Sequence, residues 1–228
     1  MIIQRQKRQK QLQNNLYKFL LIYFILFLAL LNTSLLKAQK KCWYQPDKMG
    51  FIYGYGNQGG LFLDDKDYSY TSNIIKLQLF YPLRQGAFNL DLVFEPTLGF
   101  SKHQLLNFYF IQPSEPDYLA KRAEFTKSKR ITEYILNTNL QLSHKITKAI
   151  NAYIFVGLGP MIISKRTERL AKGFAFADNI GLGFTSKITT ILNFDIRASL
   201  RHLSNAELKH PNSGINIATL ELGMNLKL

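Results

Sequence analysis

From Phe51 onward the chain alternates apolar side chains with small or polar ones in eight separate stretches, and no sustained 3.6-residue apolar period accompanies them. A two-residue period puts successive side chains on opposite faces of an extended strand, so a sequence built this way reads as all-β. Phe51, Tyr53 and Tyr55 alternate with Ile52, Gly54 and Gly56, and Ile75, Leu77, Leu79 and Tyr81 with Lys76, Gln78 and Phe80. Phe88, Leu90, Leu92 and Phe94 then face away from Asn89, Asp91 and Glu95, and Tyr134, Leu136, Leu140 and Leu142 from Glu133, Asn137, Asn139 and Gln141. Ala152, Ile154, Val156 and Leu158 form a fifth apolar stripe, and Ile180, Leu182 and Phe184 a sixth. Residues 191–204 and 215–228 supply the seventh and eighth.

One face of these stretches is Leu, Phe, Ile and Tyr, whereas the other mixes Gly and Asn with Asp91, Glu95, Glu133, Asp195, Arg197, Arg201, Glu221 and Lys227. Alternation of this kind suits a secreted eight-stranded sandwich or lipocalin-like barrel as well as a membrane barrel, because either face can be turned inward. The connections discriminate. Turns at 84–87, 144–149 and 186–190 are short, those at 57–72, 101–127, 165–173 and 205–214 are longer, and the two kinds take turns along the chain. Short turns at one end, long loops at the other and an even number of strands predict an eight-stranded antiparallel transmembrane β-barrel of outer-membrane type. A barrel that small has room inside only for side chains, so its inner Asp, Glu and Arg residues are expected to pair with one another.

The first residues fit export. Arg5, Lys7, Arg8, Lys10 and Lys18 precede an apolar run from Phe19 to Leu31 broken only by Tyr23, and Leu36-Lys37-Ala38 offers a cleavage point before Gln39. This reads as a signal peptide over residues 1–38 followed by a barrel domain over 39–228. The apolar run is too short for a membrane-spanning helix. Lys40 and Lys41 before Cys42 do not fit a lipoprotein signal, and a single cysteine excludes an internal disulfide framework and a Cys-rich metal site. Six of the 29 Lys and Arg residues, and none of the 15 Asp and Glu residues, lie before Gln39, so the remainder carries a net charge of about +8. An exported basic barrel points to an anionic membrane surface rather than to nucleic acid.

The seventh stretch breaks its own rule. Its apolar face, Leu192, Phe194, Ile196, Ala198 and Leu200, continues with His202 and Ser204 at the end nearest the long loops. Two positions along a strand are about 6.6–7 Å apart, near enough for an imidazole to lean toward a hydroxyl. Such a pair is the minimum for nucleophilic attack on an ester, with histidine as base and serine as nucleophile. A hairpin through 205–213 would set Asn216 opposite His202 on the same apolar face, where its amide could hold the imidazole tautomer but would add no negative charge. Glu221 has the opposite parity and should point inward. Ser-Asn-Ala and Pro-Asn-Ser-Gly are also ordinary turn sequences, and a histidine at a membrane rim also serves as a plain interfacial residue.

The run His202-x-Ser204-Asn205-Ala206, followed by Lys209-x-Pro211-Asn212-x-Gly214, resembles the lipid A 3-O-deacylase (PagL-type) outer-membrane esterases. The resemblance implies Ser204 as nucleophile and His202 as general base on the outer wall of an eight-stranded barrel. It implies a serine esterase that cleaves a fatty-acyl ester of lipid A in the outer leaflet of the outer membrane. The family's third catalytic residue is a glutamate, and Asn216 stands at the matching position here. Asn212, with Asn205 or the Ala206 amide, is the expected donor set for the oxyanion. The basic residues Lys165, Arg166, Arg169, Lys129, Arg130 and Lys209 are candidates for the lipid A phosphates, or else a solvated charged rim. The implied partners are lipopolysaccharide and outer-membrane lipids, with homodimerisation left open. His103, His144 and His210 lack metal-ligand spacing, and nothing calls for a cofactor. The alternative is a non-catalytic barrel of the same architecture, structural or lipopolysaccharide-binding, with its triad decayed at Asn216.

Overall fold

The computed structural model describes residues 45–59 and 65–228; the leader expected over 1–38, and Cys42, lie outside them. Eight strands follow one another in space as in sequence: β1 (Lys48–Asn57), β2 (Tyr68–Arg84), β3 (Phe88–Leu105), β4 (Lys129–Lys145), β5 (Ile150–Ile163), β6 (Gly173–Lys187), β7 (Leu192–Ser204) and β8 (Ile215–Lys227). Each pairs antiparallel with the next, and β1 pairs with β8, so the sheet closes. Closure satisfies every strand edge, which an open sheet in lipid could not do.

Burial is inverted relative to a soluble sandwich or a lipocalin. Ile154 and Ile180 are each 60% exposed, whereas Arg197 and Glu221 are 2% and 0% exposed. An apolar exterior around a polar interior is stable only when hydrocarbon surrounds it, so the chain is a transmembrane β-barrel. No helix among the described residues is long and apolar enough to cross a membrane.

The interior charges find one another across the barrel, as expected for so narrow a lumen. Arg197 donates from Nη1 and Nε to Glu95 and Glu221, both at 2.7 Å, and Lys76 Nζ lies 3.0 Å from Glu221. Toward the long loops Arg201 Nη2 donates to Glu133 at 2.7 Å and Tyr70 Oη donates to the same carboxylate at 2.6 Å. Toward the short turns Tyr153 Oη donates to Asp195 at 2.6 Å. Room for these groups comes from inward-facing glycines. A Cβ at Gly183 would sit 2.5 Å from the Tyr153 hydroxyl, and one at Gly181 would sit 2.6 Å from the Phe155 ring.

Several strands run further toward the long loops than the apolar alternation indicates. β2 begins at Tyr68 and β3 ends at Leu105, which shortens the first two long connections to 58–67 and 106–128. The 106–128 connection contains a short 3-10 turn (Phe108–Phe110) and an α-helix, α1 (Tyr118–Phe125), whose Phe125 is buried with Leu105 and Ile111. Glu124 on α1 binds Arg166 of the 164–172 connection and accepts from Lys129 Nζ at 3.4 Å. That connection in turn meets 205–214, through a bridge between Leu170 and Asn212 and a 2.9 Å bond from Ala171 N to Pro211 O. The chain of contacts fixes the loop that follows Ser204.

Candidate functional site

Strand β7 ends on Ser204 and β8 begins at Ile215, with Leu203 opposite Ile215 and His202 opposite Asn216. His202 and Asn216 are both exposed on the outer wall, two positions before the end of β7 and one after the start of β8, while Glu221 is fully buried inside. His202 Nδ1 lies 2.6 Å from Asn216 Oδ1. With an amide oxygen as partner, Nδ1 carries the hydrogen and Nε2 keeps a free lone pair, the form a general base needs.

The ring's other edge lies against Gly214. That residue has φ +73°, and a Cβ there would come within 2.7 Å of His202 Cε1 and 3.2 Å of Nε2. Only glycine combines a positive φ with so close an approach. Continuing the β7–β8 register places Ser204 opposite Gly214, so Nε2 faces the row of the strand that holds the serine. Ser204 is half-buried beside its cross-strand partner Phe176 on β6. Among the described residues no hydrogen bond links its hydroxyl to His202; catalytic serine–histidine contacts are often long or open in the absence of substrate.

Below the serine the outer wall is dished. A groove of about 1050 Å³ runs from His202 and Asn216 over Phe176, Leu200, Ile180 and Val156. It continues as a second, apolar depression that shares Leu140, Val156, Ile180 and Leu200 and reaches Leu142 and Leu182. An aliphatic chain can lie along these depressions with its polar end at the histidine.

The residues expected around the oxyanion separate. Asn205 is fully buried, its backbone N–H donates to Asn212 Oδ1 at 2.7 Å, and its side-chain amide donates to Lys209 O at 2.5 Å. It therefore shapes the loop, and because the side chain is buried its second amide hydrogen is not presented at the outer wall. Ala206 takes φ +51° and its N–H has no acceptor among the described residues. Asn212 Nδ2 donates to Glu207 Oε1 at 3.2 Å and retains a second hydrogen.

The basic set separates in the same way. Arg169 is mostly buried, lies 2.9 Å from Asp65, and stacks over Tyr68 and Phe110 at 4.3 and 4.6 Å. Lys129 and Arg166 are engaged by Glu124. Arg166, hydrogen-bonded to that carboxyl, holds it below the usual carboxylate range. These three clamp the loops to one another instead of waiting for a phosphate. Arg130, Lys165 and Lys209 are exposed and unpaired among the described residues.

One polar residue of this wall escapes the sequence reading. Asp178 on β6 is exposed and lies directly opposite His202. The signal was present: position 178 has the same parity as Ile180, Leu182 and Phe184, so a strand extended back by two residues carries its carboxylate onto the apolar face.

Comparison with known proteins gives the following. Residues 120–225 match the family model of lipid A 3-O-deacylase (PagL). The lipid A deacylase PagL of Bordetella bronchiseptica is 38% identical over 71 residues, which is 30% of this chain and 38% of that protein's length. Among solved structures, the outer membrane enzyme PagL superposes with a TM-score of 0.50 at 16% identity, covering 79% of this chain and 99% of the other. Neisserial surface protein A superposes with a TM-score of 0.42 at 8% identity, covering 79% and 96%.

Proposed function

We propose that this PagL-like barrel is a serine esterase of the outer membrane that removes a fatty-acyl chain from the 3-O position of lipid A. The observation that carries the reading is the hydrogen-bonded His202–Asn216 pair on the lipid-facing wall, one row below Ser204 and at the head of an apolar groove. A polar catalytic pair facing hydrocarbon suits a substrate that is itself a lipid, because the acyl ester reaches it by lateral diffusion with no need to enter water.

In the first step Nε2 of His202 takes the Ser204 proton as Oγ bonds the ester carbonyl carbon, and the carbonyl electron pair moves onto oxygen. The Ala206 N–H and the second hydrogen of the Asn212 amide, neither of them bonded among the described residues, serve as donors to that oxyanion. Collapse breaks the bond to the sugar oxygen, which leaves with the proton from the imidazolium. Water then repeats the sequence on the acyl-enzyme and releases the 3-hydroxy fatty acid. Asn216 keeps the imidazole in the required tautomer throughout. Arg130, Lys165 and Lys209 supply cations for the lipid A phosphates at the rim.

A second reading is a lipopolysaccharide-binding or structural barrel without turnover. It is favoured by the amide at 216, where the catalytic family has a carboxylate, and by the open Ser204–His202 contact. Mass spectrometry of lipid A from cells expressing the wild type or Ser204→Ala separates the two. The esterase reading expects lipid A one acyl chain lighter with the wild type alone; identical acylation in both leaves the binding barrel.

A further inference from the structure

The strands contain six carboxylates, and five of them, Asp91, Glu95, Glu133, Asp195 and Glu221, are buried in the lumen. The sixth, Asp178, faces outward. Its position is tied to the site by register: Asp178 pairs with His202 and His202 pairs with Asn216, so the three side chains form one row across β6, β7 and β8. Directly opposed residues on neighbouring strands have Cβ atoms about 4.5–5.5 Å apart, within reach of a carboxylate and an imidazole.

A carboxylate on the lipid face is unfavourable, and the barrel gains nothing visible from it. Asp178 has no hydrogen-bond or ion-pair partner among the described residues, and the lumen charges lie on the other side of the wall. The chemistry does create a partner. When His202 takes the serine proton a full positive charge forms in a half-desolvated setting, and Asn216 offers it only a dipole. We infer that Asp178 is a positioning residue for this reaction, stabilising the His202 imidazolium from the β6 side while Asn216 orients the ring from the β8 side.

Tautomer control and charge compensation, united in one glutamate in the family this chain resembles, are thereby divided between two strands. The inference rests on the esterase reading for its substrate but not for its test. Asp178 touches no reacting atom. It acts through the imidazole, so its effect belongs in turnover and not in substrate affinity.

The experiment uses the full chain refolded in detergent micelles, with retention of the fast-migrating unheated form on denaturing gels as the check of folding. Two rates are read: release of fatty acid from lipid A, and covalent labelling of Ser204 by a fluorophosphonate, which needs an activated serine but no lipid A. Asp178→Asn is expected to lower kcat and the labelling rate by roughly 10- to 100-fold with KM little changed, and Asp178→Glu to keep most of both. In an Asn216→Glu background, where charge arrives from the opposite strand, Asp178→Asn should cost no more than about threefold.

A structural role for Asp178 would give the same loss in both backgrounds, and a direct contact with the sugar would raise KM without rescue by Asn216→Glu. Either outcome overturns the inference, as does wild-type labelling in Asp178→Asn or an unlabelled Ser204 in the wild type. Labelling of Ser204 that depends on Asp178, without any release of fatty acid, would leave this inference standing and sink the lipid A reading alone.

Discussion

At Gly214 a single missing Cβ decides where the imidazole of His202 can lie. The ring is held on one edge by Asn216 at 2.6 Å and meets the Gly214 backbone on the other. Gly214→Ala adds a methyl group 2.7 Å from Cε1 and strains a residue at φ +73° by about 1–2 kcal/mol. The ring must turn and lose the Asn216 contact. Deacylation is expected to fall by at least roughly tenfold while the barrel still folds, since a displaced catalytic group loses rate without unfolding its scaffold; fatty-acid release and unheated gel migration check the two halves. Asn216→Glu is expected to raise the rate, by less than about tenfold if Asp178, opposite His202 on β6, already supplies charge as inferred above. A fall with folding intact would show that position 216 does not orient His202. Parity along β7 and β8 was enough to predict that His202 and Asn216 meet on the outer wall, because in a closed sheet parity and register together fix which side chains touch. Asp178 was missed for the same physical reason in reverse: its strand looked shorter than it is. The fate of Asn205 was illegible, since whether a loop amide faces substrate or its own backbone depends on local turns that period-two reasoning does not reach.

Among the elements, the barrel strands were readable and the loop architecture was not. Strand identity follows from alternation, but β2 and β3 continue beyond the apolar stripe: their outward face turns polar at Ser69, Thr71 and Lys102, while Tyr68, Tyr70 and Leu105 are buried on the inward face, so the side that carries the apolar residues switches and the stripe ends early. The docking of α1 on the 164–172 loop is a matter of a few pairs. Arg166 and Lys129 converge on Glu124, and the Arg166 hydrogen bond, the largest influence, lowers that carboxyl below its usual range. A carboxyl lowered in the folded state stabilises docking above its unfolded pKa and loses that contribution as pH falls through the folded value. The brace should therefore weaken in the acid range and not at neutral pH. Because the pair is largely exposed, its worth is at most about 1 kcal/mol. Glu124→Gln should imitate acid at neutral pH, raising the rate of tryptic cleavage within 106–128 by roughly two- to fivefold without changing the gel migration of the unheated barrel. Unchanged cleavage would mean that Phe125, Leu105 and Ile111 hold the helix alone.

On the scale of the whole molecule the two faces of the wall have separate duties. The exterior carries the candidate site, while the lumen is closed by charge pairs that no substrate reaches. Arg197 is the hub: it satisfies Glu95 through Nη1 and Glu221 through Nε, both at 2.7 Å. Arg197→Met removes the cation and leaves two buried carboxylates sharing Lys76, which lies 3.6 Å from Glu95 and 3.0 Å from Glu221. Breaking a buried network by deleting one partner costs about 3–5 kcal/mol, far more than the net worth of the intact pairs. The urea midpoint of the barrel in micelles should fall accordingly. The double variant Arg197→Met with Glu95→Gln should recover part of the loss, because one of the stranded charges is gone. Asp178→Asn and Ser204→Ala, on the opposite face, should leave the unfolding free energy obtained from the same urea curves within about 0.5 kcal/mol of the wild type. If Arg197→Met left the midpoint unchanged, the lumen would have to admit water to solvate the two carboxylates. The barrel would then conduct ions across a planar bilayer, which a side-chain-filled interior forbids.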